Sequence, residues 1–114
     1  MEGKVIIDVK SKTKNTTHLA IQGEMTIYTA SEQKRALAEY LANCGELQID
    51  LSGVDEIDSA GLQILMFLKR ETVTRRINLS LIRHSQAVVE VMELLNLTKH
   101  FGDPIILSAN WKSS

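Results

Sequence analysis

Asp55, Glu56 and Asp58 place three carboxylates within four residues, and Ser59 follows them directly with a hydroxyl. Two carboxylates held a fixed distance apart can divide acid and base work on a glycosidic bond. Carboxylates can also hold a magnesium ion that keeps several of its waters. Neither chemistry has supporting residues here, and the simpler reading is a solvated loop with one helix-capping carboxylate. A nucleophilic serine needs a positioned base. The three histidines, His18, His84 and His100, are scattered, with no H-x-x-x-H pair and no Cys/His spacing for zinc. His84 follows a strand end and, without partners, reads as a surface residue. Cys44 is the sole cysteine, which rules out an intramolecular disulfide. Late in a helix and with no histidine nearby, it reads as a packing residue rather than a nucleophile. No G-x-x-x-x-G-K-[ST] loop occurs, and no strand leads into G-x-G-x-x-G. We therefore expect no catalytic residues, cofactor or metal site, and a protein that is not an enzyme.

What remains chemically distinctive is the turn Asp58-Ser59-Ala60-Gly61, where a strand ending near Gly53 passes into a helix. Either Asp58 or Ser59 serves as its N-cap. Ser59 then lies where free backbone N–H groups and the positive end of the helix dipole face solvent. Gly61, in the first helical turn, costs about 1 kcal/mol relative to Ala, which makes sense if something approaches the backbone closely. Beyond it Leu62, Leu65, Met66 and Val73 share one side of the helix. Ile64 and Phe67 point away from Leu62, either within a broad core stripe or as an exposed apolar patch beside Ser59 that would mark a partner surface.

The elements that must carry this turn follow from periodicity. Val5, Ile7 and Val9, then Leu19 and Ile21, alternate with their neighbours and predict two strands in an antiparallel hairpin over a lysine-rich turn, with Gly23 ending the second. Thr29-Ala30-Ser31-Glu32 has capping-box spacing. The helix it opens lines up Gln33, Leu37, Tyr40, Leu41 and Cys44, and Gly45 stops it. Leu47, Ile49 and Leu51 predict a third strand, and Ile77, Leu79 and Leu81 a fourth; the helix from about Ser59 to about Thr74 between them implies a right-handed crossover to a parallel neighbour. Strict alternation, in place of continuous apolar runs, predicts helices on one side of the sheet only. Ser85 can cap a third helix with Val88, Val91, Met92 and Leu95 at helical spacing, and Ile105-Ile106-Leu107 could add a last short strand. The expectation is an α/β fold, one domain over residues 1–114, with a mixed four- to five-stranded sheet and helices mainly on one face.

Composition bounds the partners. The chain of 114 residues is 44% hydrophobic with a formal charge of −1, and lacks the clustered Lys and Arg that neutralise nucleic-acid phosphates. Lys10, Lys12 and Lys14 alternate with small polar residues, as in a solvated turn. No apolar run approaches the roughly 18–20 residues of a membrane span, and the first residues lack the apolar core of a signal peptide. We expect a cytoplasmic protein, with neither nucleic-acid binding nor membrane insertion.

Asp58-Ser59-Ala60-Gly61-Leu62, preceded by Ile49-Asp50-Leu51-Ser52-Gly53, resembles the signature of STAS domains, found in bacterial anti-sigma factor antagonists and in sulfate transporters. Gly23-Glu24-Met25-Thr26-Ile27-Tyr28-Thr29-Ala30 is similar to the family's G-E-L-D-x-x-T-A segment, with Thr26 where Asp is frequent. Residues 88–101 look like its C-terminal helix and following turn, with Asn96 where many members have Gly. The resemblance covers nearly the whole chain and lacks any transporter segment, as in the stand-alone regulators. It implies that Ser59 is phosphorylated by a partner that is both anti-sigma factor and serine kinase, with a serine phosphatase acting in reverse. Together with the apolar patch of Ile64 and Phe67, the expected partner surface is Glu24, Thr26, Asp55, Asp58, Ser59, Ala60 and Gly61. The alternative is a STAS subunit of a lipid-transport ATPase in which Ser59 is an unphosphorylated interface contact.

Overall fold

The computed structural model describes residues 4–42 and 44–94. Along the chain these form β1 (Val5–Lys12), β2 (Thr16–Met25), α1 (Ala30–Tyr40), β3 (Glu46–Ile57), α2 (Ser59–Arg75), β4 (Asn78–Ile82) and α3 (Gln86–Leu94). The four strands make one mixed sheet in the order β1-β2-β3-β4. The β1–β2 hairpin is antiparallel, pairing Ile7 with Ile21, whereas β2 with β3 and β3 with β4 are parallel. Two consecutive strand–helix–strand units thus build the sheet outward from the hairpin, and α1 and α2 are their crossovers. The expected extra strand at Ile105–Leu107 lies outside the described residues.

One sheet face is the core. Leu19 and Ile21 from β2, Leu47, Ile49 and Leu51 from β3 and Leu79 and Leu81 from β4 are all buried. Leu37 of α1, Leu65 and Leu68 of α2, and Val88 and Met92 of α3 close over them in a single cluster. The alternate residues Gln48, Asp50 and Ser80 remain half-buried on the other face, where Asp50 Oδ2 meets Arg83 Nε at 3.4 Å. That pair is exposed enough to contribute little. The one-sided sheet predicted from the alternation is the observed one.

Several boundaries differ from those the residue pattern suggests. Gly23 does not end β2, which continues to Met25. With φ of +99° and the register shifting beside it, Gly23 forms an irregularity in which Glu24 N–H reaches Lys4 O at 2.8 Å, and a Cβ there would strike the same carbonyl. Gly45 does not stop α1, which ends at Tyr40. It packs against Asn15 instead, donating to Asn15 O at 2.8 Å and accepting from Asn78 N–H at 2.9 Å. His84 is buried, not superficial, immediately after the left-handed Arg83 (φ +53°). Ser85 does cap α3, its Oγ accepting Val88 N–H at 3.3 Å.

The buried stripe of α2 is centred on Gly61, Leu65, Leu68 and Thr72, with Leu62 and Ile64 on its flanks. Val73, expected inside, is 65% exposed, while Ile64 is only 5% exposed. The reason is that two of the four central positions are a glycine and a threonine, which carry little hydrophobic signal. Among the described residues no helix is long and apolar enough to cross a membrane.

Candidate functional site at the start of α2

Asp58, in extended conformation (φ −116°, ψ −171°), is the N-cap of α2. Its Oδ1 accepts Gly61 N–H at 3.1 Å, and its Oδ2 accepts Ile27 N–H at 3.0 Å. Its own N–H donates to Met25 O at 3.2 Å, and its carbonyl accepts Leu62 N–H at 2.9 Å. One residue thus closes the helix start and ties it to the turn after β2. Gly61 completes the junction. Its α-carbon lies so close to the Met25 carbonyl that a Cβ would overlap it. Something does approach the Gly61 backbone, as its cost in helix propensity suggested, and it is the end of β2.

The turn after β2 is held from inside by Thr29. The capping-box expectation fails here, because no side-chain cap bond forms at Thr29 and Glu32 is exposed. The Thr29 hydroxyl instead donates to Glu24 O at 2.7 Å and accepts from Thr26 N–H at 3.1 Å and Gln33 Nε2 at 2.6 Å. A hydroxyl has one proton and two acceptor sites, and all three are used. Thr26 Oγ1 and Gln33 Oε1 are buried nearby without a hydrogen-bond partner among the described residues. The turn leaves Ile27 68% and Tyr28 72% exposed.

Ser59 is the first residue of α2 and is exposed. Because Asp58 performs the capping, no hydrogen bond among the described residues engages the Ser59 hydroxyl. Glu24 on β2 stands in register with Glu56 on β3, and Met25 with Ile57, which brings those two carboxylates to the Asp58 end of the sheet. Asp55 is exposed and borders a shallow depression with Lys4, Ile6 and Gln22. Among the described residues no group of three or more His, Cys, Asp or Glu side chains is placed to hold a metal ion.

Three expected contact residues do not present their side chains to solvent. Thr26 and Ile64 are each 5% exposed, and Gly61 is buried against β2. Ile64 belongs to the broad core stripe and forms part of the floor of an open groove of about 620 Å³ between α1 and α2. Ala60 and Phe67 line that groove, and Lys34 Nζ sits 4.8 Å from the centre of the Phe67 ring. The residue pattern did not single out Ile27 and Tyr28, which the structure leaves exposed beside Asp58, or Lys34 and Arg70, which line the groove. An apolar pair within a turn was the signal for the first two. For the others it was the i, i+4 spacing of Ala30 and Lys34 on α1 and the i, i+3 spacing of Phe67 and Arg70 on α2, which places each cation on the same face of its own helix as an apolar residue.

The family model described as "Mlab, STAS domain" matches residues 9–107. This chain belongs to the STAS domain family. It is 32% identical over 95 residues to the "Anti-sigma-B factor antagonist" of Listeria monocytogenes, covering 81% of this chain and 83% of the relative, and equally to that of Listeria innocua. Its fold is that of an anti-sigma factor antagonist from Mycobacterium paratuberculosis (TM-score 0.76, 22% identity, 94% of this chain and 89% of the other). The unphosphorylated form of the anti-sigma factor antagonist SpoIIAA is similar too (TM-score 0.71, 13% identity, 95% and 92%).

Proposed function

We propose that this STAS domain is an anti-sigma factor antagonist. Unmodified, it binds an anti-sigma factor that is also a serine kinase, and phosphorylation of Ser59 releases that partner. A serine phosphatase resets the cycle. The observation that carries this reading is the exposed Ser59 hydroxyl at the first position of α2, relieved of capping by Asp58. The relatives named anti-sigma-B factor antagonist support the partner class.

The physics of such a switch is favourable. A phosphoserine adds about −1.5 to −2 charges, and the helix dipole favours an anion there by ~0.3–2 kcal/mol. Asp58, Glu56 and Glu24 oppose it, screened by water and salt beyond roughly 8–10 Å. The fold therefore tolerates the modification, and the penalty falls on the interface, where like-charge juxtaposition costs several kcal/mol.

A pull-down from the native cell, with phosphosite mapping of residues 50–70, tests partner class and site together. Recovery of an anti-sigma factor with kinase activity and a phosphorylated Ser59 is the expected result. Recovery of a transport ATPase with no phosphorylated species by intact mass would mark the protein as a fixed structural subunit instead.

A further inference from the structure

We propose that the groove between α1 and α2 receives an acidic, amphipathic segment of the protein partner, held by Lys34 and Arg70. This rests on the partner-binding reading above and names the chemistry of what binds. Lys34 rises from α1 and Arg70 from α2, and both line the groove, which no Asp or Glu lines. Arg75 and Arg83 each meet a carboxylate, Glu71 and Asp50 respectively. Lys34 and Arg70 have no ion pair among the described residues, and Lys34 instead stands over the Phe67 ring. Two uncompensated cations on opposite walls, with the partly buried Ala30, Met66 and Phe67 supplying apolar surface between them, fit a segment with carboxylates along one side and apolar residues along the other.

The placement also accounts for the direction of the switch. Ala60 lines the groove and Ser59 precedes it in the first turn of α2. A phosphate on Ser59 brings negative charge to the Ala60 end of the groove, where it repels the carboxylates that enter there.

The test is a titration of the 15N-labelled full chain with a synthetic helical peptide bearing glutamates on one side and leucines on the other. Shifts confined to Lys34, Gln63, Phe67 and Arg70, weakening as salt is raised, are expected. The Lys34→Glu/Arg70→Glu double variant should bind this peptide about ten-fold or more weakly, equivalent to ~1.4 kcal/mol. It should gain affinity for the same peptide with lysines in place of the glutamates, a swap that misfolding could not produce. Absence of shifts at millimolar peptide overturns the proposal, as do shifts centred on Ile6 and Val9, equal affinity for both peptides, or concentration-dependent broadening that marks a second copy in the groove. Ser59 plays no part in this readout, so its outcome is separable from that of the phosphorylation test.

Discussion

The Asp58 carboxylate accepts the backbone N–H of Ile27 at 3.0 Å across 31 positions of sequence. Its other oxygen accepts Gly61 N–H at 3.1 Å. The residue that starts the Ser59 helix is thereby the residue that fixes the exposed Ile27–Tyr28 turn. Removing it should loosen both. Asp58→Ala is expected to destabilise the protein by about 1–3 kcal/mol, combining a lost cap with an unpaired turn amide. Asp58→Asn, which keeps one carbonyl acceptor, should cost less. Urea unfolding measures the difference, and hydrogen exchange at Ile27 should accelerate in the alanine variant.

Gly61→Ala reverses a general rule. In an ordinary helix interior this change gains about 1 kcal/mol. Here the new methyl group would overlap the Met25 carbonyl, so a net loss of about 1–3 kcal/mol is expected, as in overpacked cores. A thermal melt that rises would show that β2 and α2 can separate at no cost.

Thr29→Val conserves shape and removes the hydroxyl that serves Glu24 O, Thr26 N–H and Gln33 Nε2. With Thr26 N–H left unpaired, and Glu24 O and Gln33 Nε2 keeping only their mutual 3.4 Å hydrogen bond, a loss of about 1–3 kcal/mol is expected, whereas Thr29→Ser should lose no more than about 1 kcal/mol. Equal midpoints in urea for the two variants would show that the methyl group, not the hydroxyl, matters.

Ile27→Ala and Tyr28→Ala test the exposed turn as a contact surface. Both side chains are more than half exposed, so stability should change by no more than about 0.5 kcal/mol. Loss of a buried aromatic anchor typically costs ~2 kcal/mol or more in binding, so affinity for the anti-sigma partner should fall about ten-fold or more on Tyr28→Ala. Surface plasmon resonance with the purified partner provides the measurement, and unchanged affinity would place the contact elsewhere.

Much of this architecture was legible in the residue pattern because one-sided burial writes itself as alternation. Leu47, Ile49 and Leu51 against Glu46, Gln48 and Asp50 defined β3 and the helix-free face together. The pattern misled where burial depended on something other than hydrophobicity. Gly61 and Thr72 lie at the centre of the α2 stripe for reasons of space and hydrogen bonding, which moved Val73 outward and Ile64 inward. Thr29 had the spacing of a capping box, yet its hydroxyl serves Glu24 O, Thr26 N–H and the Gln33 side chain rather than a backbone N–H at the helix start. The capping-box rule looks only forward from Thr29, whereas two of its three partners, Glu24 O and Thr26 N–H, precede it by five and three residues. At the site, the Ser59 position was readable from strand-to-helix punctuation. The junction with Ile27 was not, since it joins segments far apart in sequence.

If charge on Ser59 governs partner affinity, the phosphorylated and unmodified proteins must differ in binding. Protein fully phosphorylated at Ser59, verified by intact mass, should be titrated calorimetrically against the purified anti-sigma partner beside unmodified protein. About 100-fold weaker binding is expected on phosphorylation, equivalent to ~2.7 kcal/mol, with Ser59→Asp weakened in the same direction and Ser59→Ala binding like unmodified protein. Equal affinity of the phosphorylated and unmodified forms would contradict it.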